Sequence, residues 1–355
     1  MNKIFHIGLA MIATTLVSDS SLLAQDNDEA LISLRIVTDQ PEAALDILDK
    51  RARGVAIAEV DWQRHRETEG YRRLKKRSEA FGGTEFDAKF ESFLGESPEV
   101  FENREALRKT VDDWSNLALE RVGRSALAYL PEGARLRGSI YPVIKKSTNS
   151  FVFEIDTDPA IFLYVDPEID AAKFANTLTH ELHHIGSNSA CDEPAGFERL
   201  DPDVRNALDW LSGFGEGLAM LAAAGDPEED PHAESDPEER ATWVRNLARF
   251  DEDVARLETF FLEVAAGELS DEERRRQGFT FINTEEAPQG AFYTVGWQMA
   301  VIVEKSLGRE IVIRSVCDPR ELLVAYNQVA AASATESGPT PALWSETLLA
   351  TLQGR

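Results

Sequence analysis

Histidine, cysteine and methionine are scarce in this chain, at 6, 2 and 4 residues of 355. Two cysteines exclude a disulfide-dense scaffold, and Cys191 and Cys317 lie too far apart for a thiolate zinc finger. They are either one bridge, tying the region after residue 187 to the C-terminal helices, or two buried thiols. Positive charge is short as well. Against 63 acidic residues stand 37 basic ones, a net charge of -26. Such a surface repels phosphate backbones and anionic lipid heads, so nucleic acid is excluded as a partner. Long apolar runs are also missing. Ile4 to Val17 falls short of the roughly 20 residues that span a bilayer. It follows the basic start Met1-Asn2-Lys3 and precedes a small-residue stretch ending at Ala24, the pattern of a secretory signal peptide cut near Ala24. The expectation is a periplasmic or secreted protein with no membrane segment after cleavage.

Histidine is scarce but clustered. His180-Glu181-Leu182-His183-His184 reads H-E-x-x-H, and with so few histidines a chance match arises roughly once in a hundred such chains. On a helix, residues four apart share a face, so His180 and His184 can offer imidazole nitrogens to one divalent cation. His183 is three residues from His180 and shares part of that face, but the spacing of zinc ligands favours His184. Glu181 lies beside them, where a carboxylate can take a proton from a water polarised by the ion.

Two imidazoles need a third protein ligand. The extended pattern H-E-x-x-H-x-x-G-x-x-H is absent, because Ser187 and Ala190 occupy its glycine and final histidine positions. A carboxylate must supply the bond, and Asp192, Glu193, Glu198, Asp201, Asp209 and Glu216 are the candidates. Glu216 is favoured. It sits in an apolar helical run with Leu211, Phe214, Leu218, Met220 and Leu221, where a buried charge requires a partner. The flanking Gly215 and Gly217 cost helix stability, which suggests a close helix approach. Tyr293, at the start of an apolar helix, is the candidate donor to a developing oxyanion. Asn176 and Asp209 are candidates for orienting the ligands.

Residues 26 to about 130 read as helices: one opening at Pro41 to Lys50, one over Asp61 to Phe81 and a long amphipathic one over Glu102 to Leu130. The basic run RRLKKR within the second reads as a solvated face. Short β-rich runs follow at Ala134 to Lys146, Ser150 to Ile155 and Ala160 to Val165, with turns at Ser147-Thr148-Asn149 and Thr157-Asp158-Pro159. The motif helix is expected from Asp170 to Ser187 and another helix from Asp203 to Ala224. Asp226 to Glu239, acidic and rich in proline, reads as a mobile surface insert in which His232 is solvated. The expected organisation is a signal peptide at 1–24, a helical part at 25–130 and a catalytic domain at 131–355. The fold class is helix-rich α+β with a small sheet.

His180-Glu181-x-x-His184, then Glu216 in an E-x-x-A setting, then the Y-x-x-G-x-x-M helix beginning at Tyr293 and ending in Leu307-Gly308, resembles the gluzincin branch of the zincin metallopeptidases. Within it, the chain is most similar to the bacterial exported zinc-dependent peptidases, over roughly residues 134 to 330. The resemblance implies a zincin-like core and Zn2+ held by His180, His184 and Glu216. It further implies Glu181 as general base, Tyr293 as oxyanion donor and a peptide or protein substrate pairing with an edge strand, for which Ser150 to Ile155 is the choice. Two departures stand out. Thermolysin-like members carry an aspartate four residues after the ligand glutamate, where this chain has Met220, and the aminopeptidase motif G-x-M-E-N is absent. The second departure favours an endopeptidase or an unusual specificity. Two other functions fit the same residues: a silent zincin-fold binding protein, and a zinc hydrolase of a non-peptide amide or ester.

Overall fold

A computed structural model describes residues 31–146, 150–193, 196–233, 235–284, 288–333 and 341–354. The expected signal peptide and the turn at Ser147-Thr148-Asn149 lie outside the described residues. The β-rich runs give three strands: Leu136–Val143 (β2), Phe151–Phe153 (β3) and Ala160–Tyr164 (β4). They are joined by one the helical expectation missed, Ile32–Ile36 (β1). Its sequence Ile-Ser-Leu-Arg-Ile alternates, and its even-numbered apolar residues turn inward, the two-residue period of a strand. The sheet order is β1-β2-β4-β3, with β1 and β4 parallel to β2, and β3 antiparallel at the edge. The central β4 is apolar on both faces because helices cover both.

The N-terminal helices are Asp39–Ala52 (α1), Glu59–Arg66 (α2), Glu69–Ala80 (α3), Phe86–Glu96 (α4), Pro98–Glu102 (α5), Arg104–Ser115 (α6) and Leu119–Leu127 (α7). Two helices expected as continuous are broken. Thr68 is extended and its hydroxyl accepts from the Tyr71 N–H at 3.3 Å, capping α3 and ending α2 two residues earlier. Between α6 and α7 the Asn116 side-chain amide donates to the Asp112 carbonyl at 2.7 Å, closing the end of α6. With the sheet these helices form one hydrophobic core, which includes Leu48, Trp114, Tyr141 and Phe162.

The motif helix, Ala171–Ala190 (α8), belongs to that core through Phe174, Leu178, Leu182 and Ile185. Asp170 caps it, accepting from the N–H groups of Ala172 at 2.9 Å and Lys173 at 2.8 Å. The run expected as one helix from Asp203 to Ala224 is Pro202–Leu211 (α9), a 3-10 turn at Ser212–Phe214 and Gly215–Ala224 (α10). The remaining helices are Pro237–Leu247 (α11), Phe250–Ala265 (α12), Asp271–Thr280 (α13), Ala291–Leu307 (α14), Arg309–Cys317 (α15), Pro319–Ser333 (α16) and Glu346–Leu352 (α17). They form a second core around Phe214, Phe261, Phe292, Met299 and Trp344. Cys191, just past α8, is bonded to Cys317 at the end of α15, so the bridge joins elements 126 residues apart. None of the described helices is long and apolar enough to cross a membrane.

Candidate metal centre

Three elements meet at the site. The helix α8 carries His180, Glu181 and His184, α10 carries Glu216, and α14 carries Tyr293 in its first turn. Glycine sets the distance between the last two. A Cβ on Gly217 would lie 2.2 Å from the backbone nitrogen of Trp297, and on the facing side one on Gly296 would lie 3.0 Å from the Phe214 carbonyl. Bare backbone at both positions lets α10 press against α14, placing Glu216 and Tyr293 side by side. The expectation of a close approach therefore holds for Gly217 but not for Gly215, where an added Cβ would meet nothing within 4 Å. The neighbour that Gly217 touches is α14 rather than the motif helix.

His180 Nε2 lies 3.1 Å from Glu216 Oε2 and 3.1 Å from His184 Nε2, and His184 Nε2 lies 3.3 Å from the same carboxylate oxygen. Two ring nitrogens and a carboxylate oxygen thus converge in a small triangle, the group among the described residues that could hold a metal ion. A tetrahedral zinc ion about 2.0–2.1 Å from each ligand requires ligand atoms roughly 3.3 Å apart. The triangle fits that size, and its donor set of two imidazoles and one carboxylate suits zinc. Hydrogen bonding alone accounts poorly for the arrangement, since two facing ring nitrogens and an acceptor-only carboxylate share few protons.

Charge follows from burial and proximity. Burial alone would raise the Glu216 carboxyl, but the two imidazoles, His184 foremost, hold it well below the usual carboxylate range. For His184 burial works in the opposite direction to Glu216, and the carboxylate prevails, raising the ring to about 9. Burial raises the Glu181 carboxyl, offset in part by the two histidines. Tyr293 is 5% exposed, and its ring lies parallel to that of His180, at 7° with centroids 6.1 Å apart. Burial, reinforced by the neighbouring Glu216, pushes its hydroxyl well above its ordinary range.

His183 turns away from this group. It is buried, its Nε2–H donates to the Tyr129 carbonyl at 3.3 Å, and burial lowers its ring to about 3. The remaining carboxylate candidates, Asp192, Glu193, Glu198, Asp201 and Asp209, are all exposed. Neither residue expected to orient the ligands does so. Asn176 donates instead to the Ala223 carbonyl at 3.2 Å, tying α8 to α10, and Asp209 stays at the surface of α9. His180 Nδ1 is buried without a hydrogen-bond partner among the described residues.

One wall of the cleft escaped the expectations from sequence. The acidic run 226–239 contains Asp-Pro three times, and each aspartate closes a turn on the N–H two residues later. These are Asp226 with Glu228 at 2.9 Å, Asp230 with His232 at 2.9 Å and Asp236 with Glu238 at 2.8 Å. His232 is therefore not solvated. It is 7% exposed, rests on Trp243 and shares a 2.9 Å hydrogen bond between Nδ1 and the Ser235 hydroxyl. With Gln289 and Met220 it lines a cleft of about 610 Å³ that reaches His180, Glu181 and Tyr293. The repeated Asp-Pro dipeptide was the available signal, and the alternative of a loose acidic segment obscured it.

A family model described as "Putative zinc dependent peptidase" matches residues 62–335, from within α2 to the end of α16. The match starts well before residue 134 and takes in the N-terminal helices from α3 onward. No curated protein and no solved structure matches the chain.

Proposed function

We propose that this chain, which belongs to that family of zinc-dependent peptidases, is a metallopeptidase of the gluzincin type that hydrolyses peptide bonds. The observation that carries this reading is the convergence of His180, His184 and Glu216, with Glu181 and Tyr293 on the same cleft. His180, His184 and Glu216 hold the ion. A zinc ion held there would supply a Lewis acid that polarises a carbonyl and acidifies a water. Glu181 takes the proton of the attacking water and returns it to the leaving amine, a role favoured by a carboxyl raised through burial. The Tyr293 hydroxyl keeps its proton and donates to the oxygen on which negative charge develops. An extended substrate pairs with the outer edge of β3, which no other strand among the described residues occupies, and Ser150 just before β3 lines the cleft. We also propose that the chain is exported. The Cys191–Cys317 bond is of the kind that persists in oxidising compartments, and the apolar run after Lys3 supplies the address.

The test combines metal content with turnover. Purified protein is expected to carry one zinc and to cleave members of a peptide library. Glu181→Gln is expected to keep the metal and lose about 10²–10⁴-fold in rate. A variant that cleaves as fast as its parent would falsify the role of Glu181. Zinc without turnover in the parent points to a silent binding protein, and turnover only of non-peptide amides or esters points to a different hydrolase.

A further inference from the structure

The basic run on α3 is not uniformly solvated. Arg73 and Lys76 both close on Glu154, and Lys75 closes on Asp87 at 2.7 Å. Arg77 closes on no carboxylate among the described residues. Its guanidinium lies half-buried against rings, 3.5 Å from the centroid of Phe151 and 5.0 Å from that of Phe81. The Lys145 ammonium lies 5.7 Å from the same Phe151 ring and 5.6 Å from Tyr164. These groups border a pocket of about 380 Å³ between α3, α4 and the edge of the sheet. Arg77, Lys89, Lys145 and Lys146 line it and no acidic residue among those described does, although acidic residues outnumber basic ones 63 to 37 over the chain. Burial without a carboxylate beside it lowers the pKa of Arg77 from its ordinary value.

The sheet connects this pocket to the catalytic cleft. Successive residues of a strand face opposite sides, and Ser150, immediately before β3, lines the cleft whereas Phe151, the first residue of β3, lines the cationic pocket. A peptide added to the outer edge of β3 continues the pleat about 4.8 Å further out. Its alternate side chains then face the cleft and the cationic pocket in turn. We propose that the pocket is a subsite for an acidic side chain of the peptide substrate, with Arg77 and Lys146 as specificity-determining residues. This rests on the reading of the chain as a peptidase that pairs its substrate with β3. The two rings against Arg77 hold the guanidinium in place and shed water from it, so a carboxylate arriving there meets a preorganised donor.

The test is binding of two labelled extended peptides, identical except for glutamate or lysine at alternate positions, measured by fluorescence anisotropy at fixed salt. The glutamate peptide is expected to bind about tenfold more tightly, as one charge-assisted contact provides. The chain's own charge of -26 opposes that preference, so long-range attraction does not mimic it. Arg77→Gln and Lys146→Glu are each expected to remove most of the advantage. Lys146 is exposed, which keeps its variant informative should Arg77→Gln disturb packing. The inference is overturned if neither peptide binds, if lysine binds as tightly as glutamate, or if both variants retain the preference. Mapping cleavage of the same pair by mass spectrometry separates the two readings. Preferential binding without cleavage keeps the pocket as an anionic peptide site but counts against the peptidase reading on which its role as a substrate subsite rests, and cleavage without preference keeps the peptidase and overturns the subsite.

Discussion

A phenol buried beside a carboxylate keeps its proton, and Tyr293 is in that position next to Glu216. A group that remains a donor throughout the working pH range acts best on charge that exists only in the transition state. Tyr293→Phe is therefore expected to lower kcat by about 10²-fold with little change in KM. Steady-state kinetics on a cleaved peptide checks this, and a change confined to KM would remove Tyr293 from the chemistry. His65 shows how a neighbour fixes protonation far from the site. The Ile144 N–H donates to Gln40 Oε1 at 3.0 Å, which turns the Gln40 amide nitrogen toward His65 Nε2 at 2.9 Å. That nitrogen must then accept, so the ring is neutral, and burial, with Arg66 nearby, lowers it to about 4. An unfolded histidine titrates near 6.5, so the unfolded chain takes up the proton first as pH falls. The neutral ring's contribution is complete above about pH 6.5 and fully lost below about 4, a difference of about 3 kcal/mol. Urea midpoints between pH 7 and 4 should fall less steeply in His65→Gln. Parallel decline in both proteins would show that His65 is not the linked group.

At the scale of elements, the site depends on how closely α10 and α14 cross. Gly217→Ala forces a Cβ into the backbone of α14 and is expected to cost about 1–3 kcal/mol, with weaker zinc binding because Glu216 is the adjacent residue. Gly215→Ala meets open space and is expected to stabilise by up to about 1 kcal/mol. Chemical denaturation with zinc titration checks the pair, and equal effects would mean that the crossing does not set the site. Much of this region was legible in the sequence. The motif helix from Asp170, the three β-rich runs and a charged Glu216 amid apolar neighbours all carry local signals. What escaped was set partly by a strand partner distant in sequence and partly by single local contacts. The strand β1 alternates clearly, but only its pairing with β2 distinguishes it from the start of a helical region. The breaks at Thr68 and Asn116 depend on single side-chain hydrogen bonds. His232 reads as loop by composition and is buried because Trp243 comes to meet it.

For the whole molecule, two hydrophobic cores meet along α8, and the Cys191–Cys317 bond closes a long loop between them. Cross-linking residues so far apart restricts the unfolded chain strongly. Replacing both cysteines by alanine is expected to cost about 2–5 kcal/mol. Denaturation of oxidised, reduced and doubly substituted protein checks this. If reduction and substitution leave stability unchanged, the bond is incidental to the fold.

The strand at the start of the described chain has a further consequence for how the protein comes into being. Ile32 lies opposite Leu136, so this early strand, on leaving a ribosome or a translocation channel, finds its hydrogen-bond partner only after some hundred further residues have followed. Until then its backbone groups are exposed to any other extended chain nearby, a vulnerability that ends when β2 arrives. The closure of this side of the sheet thus waits for the emergence of β2.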